Sequence, residues 1–182
     1  MYGVIFEFLR EYVVERHGGK DTWSVLLKQA TGSAYTMYFP VKDYPDEDIV
    51  KLAVTASKAL GVPVDDVLED FGTFVGPRLT KYYKMYIKGE CSSTFHLIDL
   101  AGSSIHDAIH RHNPDRKPPL LYGVAQSSKV MLVHYKSHRK LCQVVKGIIR
   151  GLADHYGETL EIKQTECIHH GAQECIFRVE KR

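Results

Sequence analysis

The sequence predicts an α+β fold, in which an N-terminal helical lobe precedes a lobe with a four-stranded antiparallel sheet and packed helices. Three observations predict it. Apolar residues in the first half recur with the 3.6-residue period of helices. Four short runs in the second half are rich in β-forming residues and partly alternate. One long helical run lies among those four, between the second and the third.

Each helical segment of the first half carries its own start or stop signal. Acidic or proline residues precede the apolar stripes, and glycines follow them. We expect an opening helix that ends at Gly18, a second helix capped by Asp21 that runs to residue 30, and a third over 47–60 capped by Asp46. A fourth helix begins at Pro63, a further segment begins at Pro77, and the last helix covers 93–113, before Pro114.

The second half changes period from helix to strand. A helix over 140–156, stopped by Gly157, interrupts the strands. Ser127–Ser128 and residues 169–173 have the composition of hairpin turns. The expected strands are 120–126, 129–135, 159–166 and 174–180.

Composition and charge exclude several classes of protein. The 182 residues suit one domain, and 24 Lys+Arg against 22 Asp+Glu argue against a nucleic-acid partner. No apolar run reaches the ~20 residues needed to cross a bilayer, and the acidic opening residues exclude a signal peptide, so no membrane insertion is expected. Four dispersed cysteines do not form a secreted disulfide scaffold. A cytoplasmic protein is therefore expected, and no output domain is expected on this chain, which closes with its last strand.

Among the ten histidines, those inside a helix are the candidates for a ligand. His106 lies beside an apolar stripe, and Gly102, one turn earlier, removes side-chain bulk where a flat group could approach. A histidine in this setting is more often a hydrogen-bonded core residue than a ligand. His110, one turn onward, is a competing candidate that spacing alone leaves open.

Three hydrogen-bond donors alternate along one strand end. Tyr135, Ser137 and Arg139 fall at i, i+2 and i+4, so they point to one face of an extended chain. Together with a neutral histidine, they suit haem, whose iron takes an imidazole and whose propionates prefer charge-assisted hydrogen bonds. The alternative is that these residues only decorate a strand end.

Two other classes of function remain open. A non-haem binding or redox module could use the cysteines. An enzyme could use a Cys/His pair such as Cys142 with His138, but no other acid/base or nucleophile constellation is recognisable. We therefore do not expect an enzyme.

Several motifs resemble the haem nitric oxide/oxygen-binding (H-NOX) family, bacterial relatives of the haem domain of soluble guanylate cyclase. The resemblance covers essentially the whole chain and implies a single haem-binding sensor domain, with a distal helical lobe over 1–62 and a proximal α+β lobe over 63–182. The matching motifs are MYG at 1–3, DTW at 21–23, LAVTASKALG at 52–61, DFGTF at 70–74, PP at 118–119 and YKSHR at 135–139.

The resemblance also implies roles for individual residues. The family's proximal histidine lies thirteen residues before a proline that presses on the haem; His106 and Pro119 have this spacing, whereas His110 would give nine. The neighbours of His106, SSIHDAIH, depart from the family's usual Leu-His. Tyr135, Ser137 and Arg139 match the propionate clamp. The expected distal walls are Ile5, Leu9, Phe74, Val144 and Ile148.

The function that the resemblance implies is gas sensing by haem b, with nitric oxide and carbon monoxide as ligands. In the family, nitric oxide releases the histidine from the iron. Oxygen-binding members carry a tyrosine nine residues after the first tyrosine of the pentad, where this chain has Val144. The expected partner is a histidine kinase, a cyclic-di-GMP enzyme or a chemotaxis receptor.

Some members of the family also carry zinc on three cysteines, which here correspond to Cys142, Cys167 and Cys175. Their fourth ligand, a histidine, is replaced by Gln164, a poor zinc ligand. We expect His169, or else His170, to take its place. Otherwise the thiols form a redox-active set without metal, or have no special role.

Overall fold

The first half of the chain folds into four long α-helices. The computed structural model describes residues 1–87, 91–112 and 118–182. Glycines at positive φ flank α2, which begins two residues before the expected Asp21. The helices are α1 Gly3–Arg16, α2 Gly19–Thr31, α3 Asp46–Leu60 and α4 Val64–Tyr82, followed by a 3-10 turn at Lys84–Tyr86.

The expected break at Pro77 is wrong, because α4 continues through it to Tyr82. Proline removes the N–H that would bond the carbonyl of Thr73 one turn earlier. That carbonyl instead faces Gly151 of a later helix, where an added Cβ would lie 2.2 Å from the oxygen. Tertiary packing thus covers the backbone group that the proline leaves without a helical partner.

The segment that carries His106 is not one uniform helix. It consists of α5 (Thr94–Leu100), a π-helix (Ala101–Ile105) and α6 (His106–His112). Ser93 caps α5, its Oγ accepting a hydrogen bond from the His96 amide at 3.2 Å. Gly102 of the π-helix packs against a strand so closely that a Cβ would lie 2.1 Å from the Leu121 carbonyl. The expected end of this segment, at 113–114, lies outside the described residues.

The second half forms a four-stranded antiparallel sheet in the order β1-β2-β4-β3, which confirms the predicted α+β architecture. A turn at Ser127–Ser128 joins β1 to β2, and a turn around Gly171, which has a φ of 92°, joins β3 to β4. Helix α7 spans Cys142–Tyr156 between the hairpins. The strands are β1 Leu120–Ala125, β2 Val130–Lys136, β3 Leu160–Glu166 and β4 Cys175–Lys181.

Helices α4 and α7 lie between two hydrophobic cores. One core joins α1–α4, and the other lies under the sheet and includes Val145 and Ile149 of α7. Glycines let the two helices approach, since a Cβ on Gly147 would lie 1.9 Å from the Glu69 carbonyl. The Glu69 side chain also pairs with Lys146 at 2.9 Å and with Arg150. This packing holds the helical half against the sheet.

Within the described ranges, no helix combines the length and apolar character that crossing a bilayer requires.

Candidate functional site

A cavity of about 560 Å³ lies between the helical half and the sheet. Pockets for small molecules and cofactors usually measure about 300–1,000 Å³. Its walls are mostly apolar, and they come from α1, α3, α4, the π-helix, α6, both strands of the first hairpin and α7. Its polar lining includes Asp46, which contacts both Arg139 and His138. The cavity therefore suits a large, flat, mostly apolar ligand with an anionic end.

His106 is the first residue of α6, and its ring lines the cavity. Its Nδ1 is buried and has no hydrogen-bond partner among the described protein atoms. Burial lowers the pKa of His106 to about 4, although Asp107 and the Pro119 carbonyl act in the opposite direction. The ring is therefore neutral at pH 7, as a metal-binding imidazole must be. His110, the competing candidate, is exposed and is not among the residues that line the cavity.

Tyr135, Ser137 and Arg139 all line the same cavity. Tyr135 lies at the end of β2, and its hydroxyl accepts a hydrogen bond from the Leu141 amide at 3.1 Å. The Ser137 hydroxyl accepts one from the Arg139 amide at 3.2 Å. Burial is the main cause that raises the pKa of Tyr135, so the phenol keeps its proton. The two hydroxyls thus shape the turn that presents the guanidinium.

Four of the other expected contact residues also line the cavity: Pro119, Ile5, Val144 and Ile148. Leu9 and Phe74 do not line it in this structure. Leu9 is buried among α1, α2 and α3, and the Arg78 guanidinium covers the Phe74 ring at 3.5 Å. In α1 and α4, one apolar face lines the cavity and another packs in the helical core. The apolar pattern of the sequence alone does not distinguish these two faces.

The cavity residues that escaped the sequence reasoning include Asp46, Thr80 and Tyr83. The sequence pattern indicates a helix cap at Asp46, because an acidic residue before an apolar stripe is an ordinary start signal. Its long-range pairing with Arg139, 2.8 Å from Nε to Oδ1, has no local signature. Thr80 and Tyr83 lie beyond Pro77, where the sequence suggested a new segment.

The thiols of Cys142, Cys167 and Cys175 form a cluster beneath the sheet, with all three sulfur atoms within 4.8 Å of one another. Burial, followed by the neighbouring thiols, raises the pKa of Cys142 to about 12 and also raises that of Cys175. The Gln164 side chain hydrogen-bonds to Cys142. The prediction that the β3–β4 turn brings these cysteines together agrees with the structure.

Neither the expected placement of His169 beside the thiols nor the alternative pairing of His138 with Cys142 is formed. The His169 ring lies 2.8 Å from the Lys140 carbonyl through Nε2, and it is not part of the thiol cluster. His138 contacts Asp46 at 2.7 Å rather than Cys142. Because Cys142 is buried with a raised pKa, it lacks the thiolate character that a nucleophile needs.

The family model described as haem-NO-binding matches residues 2–164 of this chain. The chain belongs to the haem-NO-binding family. Two curated relatives from Caenorhabditis elegans are the soluble guanylate cyclases gcy-31, 26% identical over 171 residues, and gcy-35, 23% identical over 163 residues. The matches cover 93% and 87% of this chain but 24% and 23% of the relatives, so the chain spans about a quarter of their length.

Solved structures share the fold of this haem-NO-binding domain. An H-NOX protein from S. oneidensis in the Fe(II)NO ligation state has a TM-score of 0.90 at 24% identity, with 100% of this chain and 99% of that chain covered. The I5F mutant of T. Tengcongensis H-NOX has a TM-score of 0.85 at 16% identity, with 100% and 98% covered. At these identities the likeness establishes the fold.

Membership in the haem-NO-binding family determines the general chemistry. Domains of this family bind haem and act as sensors rather than catalysts. The expectation that this domain is not an enzyme is therefore confirmed. The residues at the cavity fit the cofactor, because a neutral imidazole and a guanidinium are the groups that iron and carboxylates select.

Proposed function

We propose that this domain senses nitric oxide at ferrous haem b and signals by conformational change to a separate effector protein. One observation carries the proposal. His106, whose burial keeps its ring neutral at pH 7, lines the same cavity as Arg139.

The residues divide the work of holding the cofactor. His106 provides the nitrogen ligand for the iron. Arg139, with Tyr135 and Ser137 beside it, receives the propionates through charge-assisted hydrogen bonds. Pro119 would contact the porphyrin, and Ile5, Val144 and Ile148 keep the cavity apolar. Bound haem supplies an iron that coordinates a diatomic gas.

The two residues that would bind the iron and the propionates, His106 and Arg139, belong to different parts of the fold. His106 begins α6 and follows the π-helix, whereas Arg139 is tied to the start of α3 through Asp46. Release of His106 would let α6 move relative to the helical half, which is the kind of local event that biases a bistable element. The effector is a histidine kinase, a cyclic-di-GMP enzyme or a chemotaxis receptor in the cytoplasm.

A visible absorption spectrum tests the proposal directly. The ferrous protein, loaded with haem and kept free of oxygen, should show a strong Soret band that shifts when nitric oxide or carbon monoxide is added. Protein that is folded by far-ultraviolet circular dichroism yet takes up no haem would overturn the proposal.

We expect the ferrous protein to form no stable oxygen complex in air. Bound oxygen carries partial negative charge and needs a hydrogen-bond donor, which is worth about 1.5–3 kcal/mol, or roughly ten- to a hundred-fold in affinity. Val144 lies where oxygen-binding members of the family have a tyrosine, and Ile5 and Ile148 near it offer no donor. The measurement is the spectrum of the ferrous protein in air-saturated buffer.

A persistent split-band spectrum in air would contradict this expectation. Besides Tyr135, the described residues that line the cavity include two phenols, Tyr2 and Tyr83, and either could then be the donor. Tyr2→Phe and Tyr83→Phe, each measured in the same way, would identify which one it is.

A second candidate function is a zinc-binding or thiol redox module without a haem-dependent role. The observation in its favour is the cluster of Cys142, Cys167 and Cys175, with the Cys142 and Cys167 sulfurs 4.0 Å apart. Sulfurs that share a tetrahedral zinc at about 2.3 Å lie about 3.8 Å from each other. The fourth zinc ligand is the weakest part of this proposal. His169 binds the Lys140 carbonyl, and the side chain beside the thiols is Gln164, a poor zinc ligand.

If zinc occupies the cluster, protein purified without chelators should contain one equivalent of zinc by elemental analysis. Cys167→Ser should remove it. Cys91→Ser is the matched control, because Cys91 lies outside the cluster, and its zinc content should equal that of the wild type. Zinc-free wild-type protein whose three clustered cysteines react as ordinary thiols would exclude the site.

A further inference from the structure

We propose that Asp46 is a positioning residue, which orients Arg139 for the haem propionate and couples that contact to the start of α3. This inference rests on the proposed function, because it assumes that Arg139 receives a propionate. It concerns a different residue and makes a separate prediction.

The Asp46 carboxylate joins three segments that are distant in the sequence. Its Oδ1 accepts a hydrogen bond from Arg139 Nε at 2.8 Å, and the amino nitrogen of Met1 lies 2.6 Å from the same oxygen. Its Oδ2 lies 2.7 Å from Nε2 of His138. All four residues line the cavity. The carboxylate therefore joins the start of α1, the start of α3 and the turn that leads into α7.

The contact at Nε determines where the guanidinium points. A guanidinium is planar and carries five N–H donors, so binding at Nε fixes the plane in which its remaining donors lie. Arg139 belongs to a tight turn, where Lys140 has a φ of 53°, and its long side chain would otherwise sample many rotamers. Ordering such a side chain costs up to about 2 kcal/mol, a cost that preorganisation removes from binding.

The surroundings keep Asp46 ionised. Burial alone would raise the pKa of this carboxyl, but hydrogen bonds from the Met1 amino group, Arg139 and His138 outweigh burial and hold it well below its usual range. Asp46 is also the first residue of α3, where the helix dipole favours a negative charge. Glu47 is in the same helical turn and shares that dipole, yet its side chain is exposed. It is therefore a matched control for the loss of one charge.

The test measures how fast haem leaves the full chain for excess apomyoglobin. Asp46→Asn should speed haem loss about tenfold or more, the value of a hydrogen bond to a charged group, whereas Glu47→Gln should not change it. Arg139→Gln should speed haem loss at least as much as Asp46→Asn. The double variant should lose haem no faster than Arg139→Gln alone, because Asp46 acts through Arg139.

The outcomes separate the inference from the proposed function. Wild-type protein that takes up no haem would overturn both. Wild-type protein that holds haem, with Asp46→Asn releasing it equally slowly, would overturn only the inference. So would additive effects in the double variant, since these would indicate a structural role independent of Arg139. If Asp46→Asn does not fold, Asp46→Ser enters the same cycle with the same expected result.

Discussion

His106→Ala should abolish the five-coordinate ferrous spectrum of the haem-loaded protein. Among the described residues, the histidines that line the cavity are His106 and His138, and His138 is bound to Asp46. Without its nitrogen ligand the iron should stay in the protein only if imidazole is added to the buffer. The measurement is the ferrous absorption spectrum with and without added imidazole.

The matched control is His110→Ala, one turn along the same helix. His110 is exposed, so its removal should leave the spectrum of the wild type. If His110→Ala loses the five-coordinate spectrum and His106→Ala keeps it, the assignment of the iron ligand is wrong.

Gly147→Ala should destabilise the protein by about 1–3 kcal/mol or more. By helix propensity alone, alanine in place of glycine would stabilise α7 by about 1 kcal/mol. The added Cβ would, however, lie 1.9 Å from the backbone carbonyl of Glu69, so α4 and α7 would have to separate. Overpacking a tight contact typically costs about 1–3 kcal/mol, occasionally more, and here it opposes backbone rather than a flexible side chain. The midpoint of urea unfolding at constant m-value measures the loss.

Gly76→Ala provides a graded comparison on the facing helix. Its Cβ would lie 3.0 Å from the Ile148 carbonyl, a contact that a small shift can relieve. We expect a clearly smaller loss of stability than for Gly147→Ala. Equal losses, or a gain for Gly147→Ala, would mean that the two helices are not held by backbone contact.

Local patterns predicted the helices and strands well, because the periods of both depend on residues that are close in the sequence. The four strands and α7 lie within a residue or two of their expected bounds. The strand order β1-β2-β4-β3 carries no such local signal, since it depends on which sheet edge each hairpin meets. The π-helix before His106 was equally invisible, because the apolar residues on both sides of it keep the spacing of three and four residues that an uninterrupted α-helix has.

At the candidate site, the sequence predicted residues whose role depends on alternation or motif spacing. Tyr135, Ser137, Arg139 and His106 line one cavity, as a shared ligand requires. Sequence reasoning failed where a side chain can choose among partners that are distant in the chain. The local pattern indicates a helix cap at Asp46, but Asp46 pairs with Arg139. The motif comparison favours His169 as a neighbour of the thiols, but His169 contacts the Lys140 carbonyl.

The close packing of α4 against α7 limits how the molecule can bend. Gly72 and Gly147 bring the two backbones into contact, and Glu69 pairs with Lys146 across the same seam. We expect α4 and α7 to move together as one rigid body, because sliding or separating them would break the backbone contacts between them. Bending is then left to connections without such contacts. The link from α3 to α4 is one of these, since Gly61 has a φ of 68° and open space around it.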